Sequence, residues 1–271
     1  MFNNKAILIT GGTGSFGNKM TKYILDNYDV RKIVIYSRDE FKQWQMAERL
    51  KDYADKLRFY IGDVRDAQRL HRAFHEIDYV IHAAALKQVP ACEYNPSEAV
   101  KTNINGAQNV IDAAIDCGVK KVVALSTDNA VNPVNFMANA YARGRETSFA
   151  VVRYGNVAGS RGSVIPFFRS QLAKGVEELP ITDFRMTRFW ISLDEGVQLV
   201  VKAFEESIGG ETYISKIPSF KITDLAKAMG GDNIKLKEVG IRDGEKLDEC
   251  MITKTDAKHT YEYDKHYIIY P

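Results

Sequence analysis

A glycine-rich segment near the N-terminus has the residue types and spacing of a phosphate-binding loop. It has the sequence GGTGSFG and joins a short apolar run to a stretch of helical periodicity. Glycines permit a tight turn and let a pyrophosphate approach the backbone, while the helix start presents free N–H groups and a positive dipole end. The sequence therefore predicts a dinucleotide-binding loop. The residues predicted to contribute are Gly11, Thr13, Gly14, Ser15, Phe16 and Gly17.

The residues after the second predicted strand distinguish between the two nicotinamide dinucleotides. A carboxylate there accepts from the ribose 2′-hydroxyl of NAD, whereas a basic residue accommodates the 2′-phosphate of NADP. This chain has Ser37, Arg38 and Lys42, whose side chains could converge on a phosphate dianion. Asp39 leaves NAD as an alternative, and a solvated charged surface without a ligand is another. We predict NADP as the cofactor.

Two later segments extend the predicted cofactor site. Asp63 and Val64 follow the third predicted strand, where a carboxylate can accept from the adenine amino group. After the fourth predicted strand, the small residues Ala83 and Ala84 let a cofactor lie close. His82 precedes them, and a lone histidine at such a position is more often structural than catalytic.

The elements that position these residues alternate between short β-branched apolar runs and longer helical stretches. Continuous apolar character indicates strands buried on both faces of a parallel sheet. The predicted strands span residues 6–10, 32–37, 57–62, 79–83, 121–126 and 149–154, and the predicted helices 16–26, 40–51 and 100–116. The last helix has one apolar stripe, consisting of Val100, Ile104, Ala107, Val110, Ile111 and Ala114. This alternation predicts a doubly wound parallel α/β sheet.

The second half of the chain has a different pattern, with helices and short strands intermixed. Helical periodicity recurs over residues 195–205 and 222–229. We predict a cofactor-binding domain over residues 1–156 and a mainly substrate-binding lobe over residues 157–271, interleaved with the core.

Composition bounds the class of protein. The 271 residues are 45% hydrophobic and 27% charged with a net charge of +2, which is typical of a globular protein. Charges of both signs are spread evenly, so nucleic acid and membrane surfaces are not expected as partners. Cys92, Cys117 and Cys250 lack the spacing of a metal site, so we expect no metal, no disulfide and a cytoplasmic setting. We see no signal peptide and no apolar run long enough to span a membrane.

Several long strings in this chain together carry a family resemblance that extends from Met1 to Pro271. They are ITGGTGSFG, YSRDE, GDVRD, HAAALKQVP, EYNP, KTNINGAQNVI, LSTD, RYGNVAGSRGSVIPFF, ITDFRMTRFWISL and GIRDGEK. The chain resembles the inverting UDP-N-acetylglucosamine 4,6-dehydratases, extended short-chain dehydrogenases that make sugars for flagellin glycosylation and bacterial capsules. Members of this family continue into a C-terminal tail beyond the position of Pro271.

The resemblance implies a lyase that acts on UDP-N-acetylglucosamine or a related UDP-sugar, and we expect a homo-oligomer. In this family the sugar is oxidised at C4 by hydride transfer to NADP, water is lost across C5 and C6, and the hydride returns to C6 with inversion at C5. The 4-keto group acidifies the C5 proton, so a modest base can remove it while an acid protonates the departing hydroxyl.

The resemblance also implies roles for individual residues. Thr127 and Asp128 match the family's Thr-Asp-Lys motif, with Asp128 as the general acid for the C6 hydroxyl. Val157 is expected near the nicotinamide, and Lys87 and Asn156 are expected to contact both cofactor and substrate. The remaining residues expected to bind the sugar and its pyrophosphate are Arg161, Thr182 and Arg242. Arginine suits this role because its planar fork engages phosphate oxygens in pairs, although each arginine could instead be an ordinary surface residue.

The chain departs from the family at two places. Asn129 stands where the motif has its lysine, and an amide cannot act as a general base at neutral pH. The family's catalytic helix with its Tyr-x-x-x-Lys pair is also missing. Tyr141 and Arg145 match its spacing only by chance, and residues 129–147 have no apolar stripe that could cover a sheet.

Two explanations for the missing helix stay open. Either the native protein contains residues that this sequence omits, or the chain is a relative that has lost the helix and binds NADP without turnover. A break between consecutively numbered residues 135–139 would support the first. A UDP-sugar 4-epimerase is the alternative enzyme, and a non-catalytic NADP-binding protein is the alternative outside enzymes.

Overall fold

A computed structural model of the chain describes residues 1–127, 146–160, 162–241 and 245–271. These residues form one nine-stranded sheet and two small sheets. The strands are β1 (Ala6–Thr10), β2 (Lys32–Ser37), β3 (Leu57–Ile61), β4 (Tyr79–His82), β5 (Lys121–Ser126), β6 (Ser148–Arg153), β7 (Asn156–Val157), β8 (Glu178–Ile181), β9 (Thr187–Ile191), β10 (Thr212–Ser215), β11 (Ser219–Lys221), β12 (Lys235–Glu238), β13 (Thr260–Glu262) and β14 (His266–Ile269).

The described helices mostly follow the strands as crossovers. They are α1 (Ser15–Asn27), α2 (Glu40–Arg49), α3 (Ala67–Phe74), α4 (Val89–Tyr94), α5 (Pro96–Ala99), α6 (Gly106–Asp116), α7 (Val164–Ala173), α8 (Leu193–Glu206) and α9 (Ile222–Gly230). A π-helical segment, Val100–Asn105, joins α5 to α6, and two 3₁₀ turns occupy Lys51–Tyr53 and Asp256–His259. Among the described residues, no helix combines the length and the apolar character needed to cross a membrane.

The large sheet confirms the predicted doubly wound α/β fold. Its strand order is β13-β14-β10-β6-β5-β4-β1-β2-β3, and the seven strands from β10 to β3 run parallel. The six predicted strands match the first six strands of the structure to within one residue at each end. All five residues of β1 are buried, because helices cover both faces of a parallel sheet.

The prediction of one apolar stripe over residues 100–116 was wrong at its N-terminal end. Ala107, Val110 and Ile111 are buried as predicted, but Val100 is 46% and Ile104 is 37% exposed. The π-helical segment accounts for this difference. Its wider turn rotates the residues before Gly106 out of phase with those after it, so a constant period of 3.6 residues does not apply.

The second half of the chain contributes to both the large sheet and a separate small lobe. Strand β10 pairs parallel with β6, β14 pairs antiparallel with β10, and α8 packs against α1. The small lobe consists of α7, β8, α9 and β12 around its own apolar cluster. That cluster includes Phe168, Leu179, Ile181, Met186, Ile222 and Ala226. The main sheet therefore takes strands from both sides of residue 156.

Candidate functional site

The glycine loop folds tightly between the end of β1 and the start of α1. Gly11 has φ of +64°, and a Cβ atom there would lie 2.7 Å from the Ala83 carbonyl oxygen. A Cβ atom on Gly17 would lie 2.4 Å from the Gly12 carbonyl oxygen. Since both obstacles are backbone atoms, neither position has room for a side chain. The loop therefore brings bare backbone to the carboxyl edge of the sheet.

The start of α1 is arranged to receive an anion. Its N-cap residue, Gly14, has no side chain that could cap the helix, so no capping side chain stands where a phosphate would meet the first turn. The Asn18 side chain donates to the carbonyl oxygens of Thr13 and Gly14, each at 2.9 Å, and thereby holds the glycine loop against α1. This cradle fits the pyrophosphate of a dinucleotide. Ser15 and Phe16, the other predicted ligands, open the helix.

The end of β2 places a cluster of charges where the adenosine side of a dinucleotide would lie. Arg38 is exposed, and its guanidinium lies 3.7 Å from the Asp63 carboxylate. Asp63 also accepts from Arg65 at 2.7 Å and 3.0 Å. Burial alone would raise the pKa of Asp63, but the hydrogen bonds from Arg65 and the Arg38 charge lower it. The carboxylate is therefore ionised and oriented.

The other two residues predicted to bind a 2′-phosphate already have partners. The Lys42 ammonium is ion-paired with Asp39, whose side chain also caps α2. The Ser37 hydroxyl is buried and accepts from the Gln43 amide at 3.1 Å. Arg38 differs from these two residues, because its side chain is exposed and its ion pair with Asp63 is long.

His82, at the end of β4, is a buried structural residue in this fold. Its Nδ1 lies 2.8 Å from the Thr10 hydroxyl oxygen, and burial lowers its pKa to about 4. The same hydroxyl accepts from the backbone N–H groups of Ala83 at 3.1 Å and Ala84 at 3.3 Å. Thr10 thus ties the ends of β1 and β4 together and holds the two alanines beside the glycine loop.

The loop after β4 is held by a residue that sequence reasoning missed. The Asn103 side chain accepts from the Leu86 N–H at 2.8 Å and donates to the Leu86 carbonyl at 2.9 Å. Asn103 lies in the π-helical segment, so the irregular turn aims this amide at the loop. Asn103 lay off the predicted apolar stripe of that helix, as did several other polar residues. The contact itself could not be read from spacing.

Lys87 follows Leu86, whose backbone Asn103 holds, and its side chain extends towards the segment after β7. Its Nζ lies 3.5 Å from the Ser160 hydroxyl, in the segment after β7. The residue as a whole is exposed, yet partial desolvation of its ammonium group lowers its pKa. Val64, the other predicted contact in this region, is buried against Gly106, where a Cβ atom would lie 2.7 Å from the valine side chain.

The remaining described site residues lie near the ends of β5 and β6 and in the small lobe. Thr127 directly follows β5, and Asn156 is exposed three residues after β6. Val157 is paired in register with Ile191 of β9. Thr182 follows β8, next to an Asp183 whose pKa is lowered to about 2 by hydrogen bonds from Arg185.

Several predicted residues lie outside the described part of the chain. They are Asp128, Asn129, Tyr141, Arg145, Arg161 and Arg242, together with the join at residues 135–139. Within the residues that are described, no group of three histidine, cysteine or carboxylate side chains is placed to hold a metal ion.

Comparison with known proteins adds to this geometry. The polysaccharide biosynthesis protein family matches residues 7–271. A Campylobacter jejuni subsp. jejuni serotype O:2 protein named UDP-N-acetylglucosamine 4,6-dehydratase (inverting) is 56% identical over 284 residues, which cover 100% of this chain and 84% of the relative. The chain belongs to the polysaccharide biosynthesis protein family. The resemblance found in its sequence strings is thereby confirmed.

One further relative and two solved structures are also similar to this chain. A Rickettsia canadensis protein named UDP-glucose 4-epimerase is 46% identical and covers 99% of this chain and 84% of that one. The solved structure of Pen from Bacillus thuringiensis has a TM-score of 0.94 at 38% identity, covering 100% of this chain and 88% of that one. DesIV, a dTDP-glucose 4,6-dehydratase from Streptomyces venezuelae solved with NAD and TYD bound, has a TM-score of 0.81 at 22% identity, covering 93% of this chain and 90% of that one. The last likeness shows that the two chains share a fold.

The alignment with the Campylobacter family member is longer than this chain. It occupies 284 positions, whereas the whole chain has 271 residues. The relative therefore has residues inside the aligned span for which this chain has no counterpart.

Proposed function

We propose that this chain is an NADP-dependent UDP-N-acetylglucosamine 4,6-dehydratase that inverts C5. The observation that carries the proposal is 56% identity along the whole chain to a Campylobacter jejuni protein of that name. The geometry supports it, because an open glycine cradle and an uncapped helix start lie at the carboxyl edge of a parallel sheet. Ligands of open α/β sheets bind at this edge.

The cofactor half of the proposal depends on three groups of residues. The Gly11–Gly17 loop and α1 would hold the pyrophosphate, Ala83 and Ala84 leave space for it, and Arg38 would engage the 2′-phosphate that NAD lacks. When bound, NADP supplies a hydride acceptor that is restored at the end of the reaction. Asp63, which Arg65 holds ionised, would accept from the adenine amino group.

The substrate half is assigned to residues beyond β4, β6 and β8. Lys87 and Asn156 would contact the sugar nucleotide from the main sheet, and Thr182 from the small lobe, with Arg161 and Arg242 on its pyrophosphate. Asp128 would donate a proton to the departing C6 hydroxyl. We assign cofactor binding mainly to residues 1–156 and substrate binding mainly to residues 157–271.

The setting of the reaction is part of the same proposal. A chain with cysteines outside disulfides and an NADP site suits the cytoplasm, and the family description connects the chain with polysaccharide biosynthesis. Capsule sugars and flagellin glycans are the expected destinations. We also expect the active form to be a homo-oligomer.

A second candidate function is sugar-nucleotide binding with little turnover. Two observations favour it: Asn129 stands at the position of the family's basic lysine, and the relative has residues inside the aligned span that this chain lacks. The name of the Rickettsia canadensis relative keeps a UDP-sugar 4-epimerase as the alternative enzyme.

NMR analysis of the products separates these functions. The chain would be incubated with NADP and UDP-N-acetylglucosamine, beside the Campylobacter jejuni relative as a positive control. A 4-keto-6-deoxy product with inverted C5 supports the dehydratase, whereas a product changed only at C4 identifies an epimerase. Saturable binding of both ligands without any product supports the second candidate. Failure to bind UDP-N-acetylglucosamine contradicts the proposal.

A further inference from the structure

A stretch of chain near the C-terminus is tied to the rest of the molecule by two arginines. We call residues 247–256 the strap. It lies mostly outside regular secondary structure, and only its last residue enters a 3₁₀ turn. Arg188 of β9 binds its beginning and Arg153 of β6 binds its end.

The beginning of the strap is bound through a buried ion pair. The Arg188 guanidinium donates to the Leu247 carbonyl at 3.1 Å and lies 3.3 Å from the Glu249 carboxylate. The side chains of Arg188 and Glu249 are only 12% and 4% exposed. The neighbouring Thr187 adds a backbone bond to the Leu247 carbonyl at 3.1 Å and a hydroxyl bond to Asp248.

The end of the strap is bound through a second buried ion pair. The Arg153 side chain is 1% exposed, donates to the Met251 carbonyl at 2.7 Å, and lies 2.9 Å from the Asp256 carboxylate. Asp256 also accepts from the Thr253 N–H at 3.2 Å. Burial would raise the pKa of Asp256, but the bonds from Arg153 and Thr253 lower it, so the pair is charged.

The position of the strap in the fold associates it with the sugar side of the site. The pyrophosphate cradle follows β1, whereas β6 lies three strands away along the sheet. Arg153 ends β6, three residues before Asn156, and β9 pairs with β7, which contains Asn156. In sequence the strap also follows Arg242 closely. Both arginines therefore adjoin the elements assigned to the sugar nucleotide, and neither adjoins the cradle.

Neither arginine is available to bind a phosphate itself, because both are buried and used within the protein. Burying two ion pairs costs desolvation, and in some proteins such pairs fix one arrangement of the chain rather than add stability. Apolar side chains of similar volume in place of these ion pairs would stabilise the folded chain equally well. The geometry points to a different role: Arg153 and Arg188 are positioning residues that hold the strap so that the sugar-nucleotide half of the site is pre-formed.

This inference rests on the proposed function. Isothermal titration calorimetry tests it by measuring the affinity for UDP and, in a separate titration, the affinity for NADP. Asp256→Asn leaves Arg153 buried without a charged partner. We expect it to weaken UDP binding at least about tenfold, while NADP affinity stays within about twofold of the parent. Asp256→Glu keeps the charge and should recover most of the UDP affinity. Asp116→Asn, at an exposed ion pair with His71, is the matched control and should change neither affinity.

A second variant tests the other end of the strap if Asp256→Asn does not fold. Arg188→Lys keeps the charge beside Glu249 but loses the bond to the Leu247 carbonyl, so UDP binding should weaken with NADP binding retained. Unchanged UDP affinity in either folded variant would overturn the inference, and so would equal weakening of both ligands, which indicates a purely structural role. A parent that binds NADP but no UDP would instead overturn the proposed function.

Discussion

The guanidinium of Arg38 and the carboxylate of Asp63 face each other at 3.7 Å across the ends of β2 and β3. This separation is long for an ion pair, and Asp63 is already held by shorter bonds from Arg65. Arg38 can therefore turn towards a phosphate without leaving Asp63 uncompensated. An exposed guanidinium at this position is what the proposed preference for NADP over NAD requires.

Arg38→Ala should remove most of the preference for NADP over NAD. A charge-assisted bond to the 2′-phosphate is worth roughly 1.5–3 kcal/mol, which corresponds to at least tenfold in affinity. Titration of both cofactors into parent and variant measures this. Arg72→Ala is the control, since this exposed arginine lies in the last turn of α3, away from the carboxyl edge of the sheet. Equal affinity of the parent for both cofactors would show that Arg38 does not select NADP.

Gly17→Ala should abolish tight cofactor binding and lower stability by about 1–3 kcal/mol, as overpacking typically does. The new methyl group would lie 2.4 Å from the Gly12 carbonyl oxygen, so the loop would have to open. Gly196→Ala in α8 is the matched control, because its Cβ would meet only the Tyr154 ring at 3.8 Å. Removal of a helical glycine should stabilise that variant by about 1 kcal/mol. Thermal unfolding and NADP titration together report both effects, and normal binding by Gly17→Ala would refute the cradle.

The buried His82 should make the protein less stable as the pH falls below neutrality. Its pKa is about 4 in the folded chain, because burial disfavours the charged ring, against roughly 6.5 when unfolded. The unfolded state therefore binds more protons between these two values. The stability contribution of the neutral ring is complete above about pH 6.5 and is lost as the pH falls towards 4.

The expected loss from His82 is on the order of 2 kcal/mol at pH 5 relative to pH 7.5. Urea unfolding of the parent and of His82→Gln at both pH values isolates this part, since other titrating groups are common to both proteins. The variant should show a correspondingly weaker dependence on pH. His75→Gln, at an exposed histidine, should behave like the parent. Parallel pH profiles for parent and His82→Gln would mean that the ring is not held neutral.

Turnover of UDP-N-acetylglucosamine should be much slower than in the Campylobacter jejuni relative. Asn129 cannot act as a base, the Tyr-x-x-x-Lys pair is missing from the crossover, and each acid–base group typically contributes about 10²–10⁴-fold. We expect 4-keto product at least about 10²-fold more slowly, with UDP binding retained. The comparison requires equal enzyme concentrations and product quantification by NMR. A rate within tenfold of the relative would mean that other residues supply the base.

Much of the fold could be predicted because its signals are local. The runs that became β1, β2 and β5 each contain four consecutive apolar residues, and the predicted bounds of these strands agree with the structure. The glycine loop was found for the same reason, since its glycines, the strand before it and the helix after it are adjacent in sequence. The helix stripe failed at Val100, where the π-helical turn changed the period.

The supports of the site could not be predicted, because they join residues that are distant in sequence. Asn103 reaches Leu86 across 17 positions, and Arg153 reaches Asp256 across 103. A polar residue within a helix and an arginine at a strand end have many possible partners. Only the assembled packing selects one.

The sequence by itself determined the alternation of strands and helices in the first half of the chain, the glycine cradle and the family, because each is written in short contiguous patterns. The tertiary structure decided which charges are free to meet a ligand. It paired Lys42 with Asp39, enclosed Ser37 and buried Arg153, while it left Arg38 exposed. The physical reason is desolvation: a charged side chain removed from water must find a partner within the protein, and that choice depends on chain topology.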